Sequence, residues 1–417
     1  MNKLNLSNLL SEQIKPAMGC TEPAAIAIAC ANAASTLMKY SGAKTKDIKN
    51  IELTLDRFVY RNAKAVGIPQ SGGKTGIKTA AAMGIFCNPN YGLNIFSSFN
   101  KGHIAKAEKI AEKVIINISG SKPLYIKAKV TAGKNYSVVI IKNFHMDIEK
   151  IESNRKIIFR NENKEHRGLS SEMENISGMN IKEIISAAKN AQKDNFETIK
   201  NLIGTNWTAA QYGIKNRCGL GIGANIMRLC NKKGELEGYV QAMASAATDA
   251  RMSGEYIEII SVCGSGNQGI MCSVPIKAAG KILDINEKRI IAAVLIAVLI
   301  ECNLTSKFGY LTDLCGAVTK AGFAATAGLT YLLCGNEKQI ENALNIFAGD
   351  LTGVICDGAK SGCALKICSS SSSAVRAALL SLKGVSAPAD CGIIGNGFKE
   401  TIENISRNNY KKTNANK

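Results

Sequence analysis

Apolar positions recur at helical spacing over residues 4–14 and again over 21–37, where Ala24, Ala25, Ile28 and Ala29 mark a buried face. Thr21 is the expected N-cap of the second helix, with Pro23 in its first turn. Residues 51–55 alternate as a strand, and 103–113 read as a helix. Apolar runs at 114–118, 124–130 and 136–141, broken at Gly120 and at 132–135, predict an antiparallel meander. The polar stretch 164–178 reads as a linker. Beyond it the spacing predicts helices over 180–191, 195–215, 222–231, 235–252, 267–282, 286–303, 313–332, 337–348 and 370–383. The apolar run 290–300 is too short to span a bilayer and predicts a core helix. The tail, 407–417, reads as a frayed end. The fold class is therefore α+β. An N-terminal mixed helix and strand part, 1–165, contains the meander, and a mostly α-helical C-terminal part covers 166–417.

Composition changes this picture little. The 417 residues are 46% hydrophobic but only 6% aromatic, which favours close helix contacts through small side chains. The net charge of +19 reads as a lysine-rich solvated surface, because no nucleic-acid motif or aromatic-interleaved basic stripe accompanies it. No nucleic acid and no membrane are expected as partners. Fourteen cysteines and no recognisable leader segment predict a reducing, cytoplasmic setting rather than a disulfide framework.

The cysteines carry the candidate chemistry. Cys356 and Cys363 bracket a turn built on Asp357-Gly358 and Ser361-Gly362, and Cys315 precedes Gly316. Three thiolates from two glycine-flanked turns suit a soft metal or an iron–sulfur cluster, although the spacing matches neither paired zinc ligands nor a ferredoxin run. Cys30, Cys87, Cys230, Cys302 and Cys334 read as small buried hydrophobes, and Cys368 and Cys391 as additional candidate ligands. Cys20 stands just before a helix N-terminus, where a thiolate is favoured. The turn 67–76, with Ser71, Gly72 and Lys74, feeds a helix and forms a candidate anion site. It lacks the first glycine of a phosphate-binding loop, so nucleotide binding is rejected. The turn 263–269 offers backbone amides and the side-chain amides of Asn267 and Gln268 to a carboxylate. His103, His145 and His166, the only histidines, read as surface residues.

Gly19-Cys20-Thr21-Glu22-Pro23, the Gly-Ile-Pro…Gly turn at 67–76, Cys263-Gly264-Ser265-Gly266-Asn267-Gln268-Gly269 and Cys356-Asp357-Gly358-Ala359-Lys360-x-Gly362-Cys363 together resemble the L-cysteine desulfidase family. That family is related to the α-part of iron–sulfur-dependent bacterial L-serine dehydratases. The resemblance spans nearly the whole chain and makes 166–417 the expected cluster domain. It implies an oxygen-sensitive [4Fe–4S] cluster on Cys315, Cys356 and Cys363. It also implies breakdown of L-cysteine to pyruvate, ammonia and sulfide. Cys20 is then the candidate base, with Glu22 as the alternate and Thr21 stabilising it. Thr21, Ser71, Gly72, Lys74, Asn267, Gln268 and Lys360 are candidate substrate-binding residues. A small amino-acid substrate and a homodimer are the expected partners. Two alternatives stay open: dehydration of L-serine or another β-substituted amino acid, and a non-catalytic iron–sulfur or zinc structural protein. No lysine stands in a setting that singles out a pyridoxal-phosphate enzyme.

Overall fold

A computed structural model describes residues 4–121, 123–161, 169–230, 235–351 and 353–414, the last seven of these by backbone alone. Asn5 caps α1 (Leu6–Gln13), and the chain turns directly into β1 (Ile14–Met18). Next comes α2 (Thr21–Ser41), apolar on all sides and buried accordingly. β2 (Ile48–Asp56) ends on Asp56, whose carboxylate accepts from the amides of Phe58 and Val59 and so starts α3 (Arg57–Ala63). α4 (Gly76–Gly84) and α5 (Ile104–Ala111) follow, with 3₁₀ turns between them. The remaining strands of this part are β3 (Val114–Ser119), β4 (Tyr125–Ala132), β5 (Asn135–Lys142), β6 (Ile148–Ser153) and β7 (Lys156–Arg160).

These form one six-stranded sheet in the order β3-β2-β4-β5-β6-β7. Of the expected meander β4 and β5 pair antiparallel, and β6 and β7, which the apolar runs did not mark, extend it. β3 is not part of it: it pairs parallel to β2, Ile51 opposite Val114, because α3 to α5 carry the chain across between the two strands. In β4 the buried residues are Ile126, Ala128, Val130 and Ala132, alternating with partly exposed Tyr125, Lys127, Lys129 and Thr131. α2 packs against β4 and β5 and against α4.

The second part is helical: α6 (Ser171–Ser177), α7 (Ile181–Lys189), α8 (Lys193–Asn216), α9 (Ile222–Leu229) and α10 (Leu236–Met252) precede β8 (Glu258–Val262). After it come α11 (Gly266–Ile282), α12 (Glu287–Phe308), α13 (Gly316–Thr319), α14 (Ala321–Leu332), α15 (Glu337–Leu351), α16 (Cys363–Leu382) and α17 (Phe398–Asn414). α10 is the hub, packed on α8, α9, α11 and α16 through Ala242, Ala244, Ala246 and Ala247. α12 is long and apolar enough to cross a membrane by length and composition, but most of it is buried within the protein.

Several expectations need correction. Residues 171–177 of the supposed linker form α6, capped by Ser170; residues 164–168, including His166, lie outside the described residues. The supposed frayed tail is helical to Asn414. The helix expected at 313–332 breaks at Lys320 into α13 and α14. α16 begins at Cys363 rather than at 370. β1 pairs antiparallel with β8, Ile14 opposite Val262, and α1 packs on α6 and α8, so residues 4–18 pack with helical elements rather than with the six-stranded sheet.

Candidate active site

Glu22 is the centre of the site. It lies in the first turn of α2 and is 6% exposed. Its Oε2 accepts from Cys20 Sγ at 3.1 Å and from Thr21 Oγ1 at 3.0 Å, and its Oε1 accepts from Asn62 Nδ2 at 2.8 Å. His145 Nε2 stands 3.9 Å from Oε1. Burial pushes the carboxyl pKa up, but the His145 imidazole and the Cys20 and Asn62 donors outweigh it and hold Glu22 well below the usual carboxylate range. Glu22 is therefore an anion.

Cys20, not Thr21, occupies the N-cap position of α2. Its thiol is not ionised as the helix terminus alone predicts. Burial first, and then the Glu22 carboxylate, raise its pKa well above the ordinary thiol value. The resting arrangement is a buried thiol that donates to a buried carboxylate.

The three cysteines of the glycine-flanked turns come together at the edge of this pair. Leu314 and Ile355 form an antiparallel bridge. The Cys315 amide donates to Val354 O at 2.9 Å and the Cys356 amide to Asp313 O at 2.8 Å. Cys363 opens α16 and packs with Ala359 against buried Cys20, Val66 and Met252. Cys356 Sγ lies 4.0 Å from Asn62 Oδ1, so Asn62 touches both Glu22 and a candidate ligand. Gly358 has φ +99, and a Cβ there would meet Arg61 O at 2.4 Å, so only glycine lets the turn close on α3. Burial, then the neighbouring thiols, push Cys315 up to about 12, and burial raises Cys363. Both thiols need a cationic group to become thiolates, which is what an iron site supplies. Among the described residues, no group of three or more His, Cys, Asp or Glu side chains is set to hold a single metal ion. A cubane presents its irons at separate corners, so its thiolates stand farther apart than the ligands of one ion. The donor set fits such a group.

The other sequence candidates are spread more widely. Ser71 Oγ closes its own turn, accepting from the Lys74 amide at 2.8 Å and donating to Lys74 O at 3.0 Å. Lys74 Nζ pairs with Glu108 on α5 at 3.0 Å, beside a cavity of about 330 Å³, and a Cβ on Gly72 would face open space. Lys360 pairs with Asp357, which Lys366 also holds at 2.5 Å. Asn267 and Gln268 are buried in the first turn of α11. The surface reading of His145 is wrong: the turn between β5 and β6 places it 8% exposed against Glu22. Cys334, expected to be buried, is exposed.

A second thiol group lies deeper. Cys263 Sγ is 3.7 Å from Cys302 Sγ, and both are enclosed. Beside them Glu301 and Lys320 are buried 3.9 Å apart. Thr305 donates to Glu301 Oε1, and Lys320 Nζ donates to Gly309 O at 2.9 Å.

Two structural contributors escaped the sequence reading. α3 holds the site together: Asn62 reaches Glu22, while Arg57 and Arg61 clamp Asp313 at 2.9 and 3.1 Å. Its Asp cap at 56 was a legible start signal. Arg251 ends α10, 3% exposed, with Nη1 donating to Asn267 Oδ1 at 2.9 Å. Sequence gave no signal for it, because a lone arginine at a helix end usually faces water.

Comparison with known proteins places this geometry. Residues 103–416 match the model of the serine dehydratase alpha chain. The chain is 36% identical to a UPF0597 protein of Clostridium perfringens strain SM101, covering 97% of this chain and 94% of that one. It is 33% identical to UPF0597 proteins of Desulfatibacillum aliphaticivorans (96% and 93% covered) and Thermosipho africanus (96% and 95%). The chain belongs to the serine dehydratase alpha chain family.

Proposed function

We propose that this protein is an iron–sulfur-dependent lyase that converts L-cysteine to pyruvate, ammonia and hydrogen sulfide. The observation that carries this reading is the meeting of the Cys20–Glu22 pair with Cys315, Cys356 and Cys363, bridged by Asn62. Those three cysteines would hold a [4Fe–4S] cluster. When bound with one iron free of protein ligands, it supplies Lewis acidity to an oxygen or sulfur of the substrate.

The chain's own residues handle the proton. Glu22, the ionised member of the pair, takes the α-proton of the amino acid, and the Cys20 thiol donating to it at 3.1 Å holds it in place. Thr21, Asn62 and His145 keep Glu22 oriented and anionic until that transfer. The electron pair of the Cα–H bond becomes the Cα–Cβ double bond as the Cβ–S bond breaks and sulfide leaves. The aminoacrylate tautomerises to the imine, and water hydrolyses it to pyruvate and ammonia. A dehydratase acting on L-serine would use the same residues, with hydroxide as the leaving group; the family match favours retaining that second reading.

The test is anaerobic purification with iron and sulfide analysis, then sulfide release from L-cysteine and ammonia release from L-serine on one sample. About four irons per chain with faster release from L-cysteine is the expected result. Faster turnover of L-serine would reverse the two readings. A reconstituted, iron-loaded protein inert towards both would sink them.

A further inference from the structure

We infer that Arg251 is the anchor for the substrate carboxylate, which restricts this site to α- or β-carboxylated thiols and alcohols. The inference rests on the lyase reading only for the identity of the substrate, not for the anion site itself.

A buried guanidinium without an acidic partner is costly unless an anion completes it. Arg251 is such a group. It is 3% exposed, and among the described residues no carboxylate pairs with it. Only Nη1 is engaged, by Asn267 Oδ1 at 2.9 Å and Met252 Sδ at 3.2 Å. Nε is buried without a partner, and no hydrogen bond of Nη2 is formed among the described residues. Nε and Nη2 make up one edge of the guanidinium, the edge that takes a carboxylate with two parallel hydrogen bonds.

The position of Arg251 is right for this task. Its neighbour Met252 packs with Cys20 and Cys363, and its charge acts on both thiols. A carboxylate taken by the unpaired edge would lie on the side of the site where Cys20 and Cys363 meet Met252. Gly266 is required beside it: a Cβ there would lie 2.2 Å from Nε. The same motif that supplies Gly266 supplies Asn267, which accepts from Nη1 and holds the plane in place.

The experiment uses the iron-loaded protein under anaerobic conditions and reads binding by calorimetry, independently of turnover. The probes are 3-mercaptopropionate, which carries the carboxylate, and 2-mercaptoethylamine, which shares the thiol but lacks it. Arg251→Gln should weaken 3-mercaptopropionate roughly a hundredfold and leave 2-mercaptoethylamine and the iron content unchanged. Arg251→Lys should recover part of the loss, since it returns the charge without the fork. Asn267→Asp keeps the arginine but gives it an internal carboxylate, and should weaken the same probe about tenfold. Equal affinity of wild type and Arg251→Gln for 3-mercaptopropionate would overturn the inference. So would parallel loss of iron, which would make the iron–sulfur group the anion that Arg251 serves. Arginine-dependent binding in a protein that releases no sulfide would leave the anchor standing while the reaction assignment falls.

Discussion

Two groups of sulfur atoms in this chain look alike by composition and differ in almost everything physical. Cys315, Cys356 and Cys363 are partly exposed, sit at helix starts or in a turn, and face Lys366 and Arg251. Cys263 and Cys302 are enclosed, with Glu301 and Lys320 beside them. The first group is less enclosed, and Arg251 near it has no acidic partner among the described residues. The second has its cation already engaged by Gly309 O and Glu301. The two groups are thus told apart by their enclosure and by whether the nearby cation is paired, not by the number of thiols.

The comparison can be broken most directly at the thiols. Cys356→Ser or Cys363→Ser should strip the iron and lower sulfide release by at least about a hundredfold, while Cys302→Ser keeps both iron and activity. Iron loss in Cys302→Ser, measured on anaerobic protein, would erase the distinction. Within the first group, Glu22→Gln should retain iron yet lower kcat by roughly 10²–10³-fold, the usual scale for a lost proton-transfer group; an unchanged kcat would remove Glu22 from the mechanism. Within the second group, Lys320→Met should leave iron untouched and cost about 3 kcal/mol in denaturant unfolding, because it strips a buried partner from Glu301 and two carbonyls.

The smallest effect contrasts Glu22 with Asp249, two buried carboxyls. Donors hold Glu22 low, so its contribution to stability is present above about pH 4.3, the unfolded value, and fades as pH falls. Burial outweighs the backbone amides around Asp249 and lifts it to about 6. The folded state therefore binds the extra proton, and this contribution to stability is lost as pH rises from about 4, the unfolded value, to about 6. Asp249→Asn should flatten that part of a stability profile measured by thermal melting. A profile identical to wild type between those limits would contradict the assignment.

Much of this was legible in the chain. Helical spacing located α8, α10, α11, α12 and α15 within a few residues, and glycine-flanked turns singled out the three cysteines. What escaped was set by tertiary contact. β1 and β8 are short, and each exists only because the other lies beside it. β3 carries the same alternation whichever way its partner runs, so its parallel pairing left no mark. The ionisation of Cys20 was misread because a terminus effect is local and visible, whereas burial and the carboxylate two residues on become decisive only in the folded chain. His145 and Arg251 carry no motif; only the folded chain reveals that both are buried.

The pairing of β1 with β8 has a consequence for how the protein is made. Lys15 and Ser261 are 246 residues apart, and Asn62 and Cys356 are 294 apart. At translation speeds of about 5–20 residues per second, the first helices wait on the order of tens of seconds for their partners to leave the ribosome. The sheet can fold in that interval, since its strands are close in sequence. The thiols of the site cannot meet until α16, which begins at Cys363, has emerged, so assembly of the site lags well behind that of the sheet.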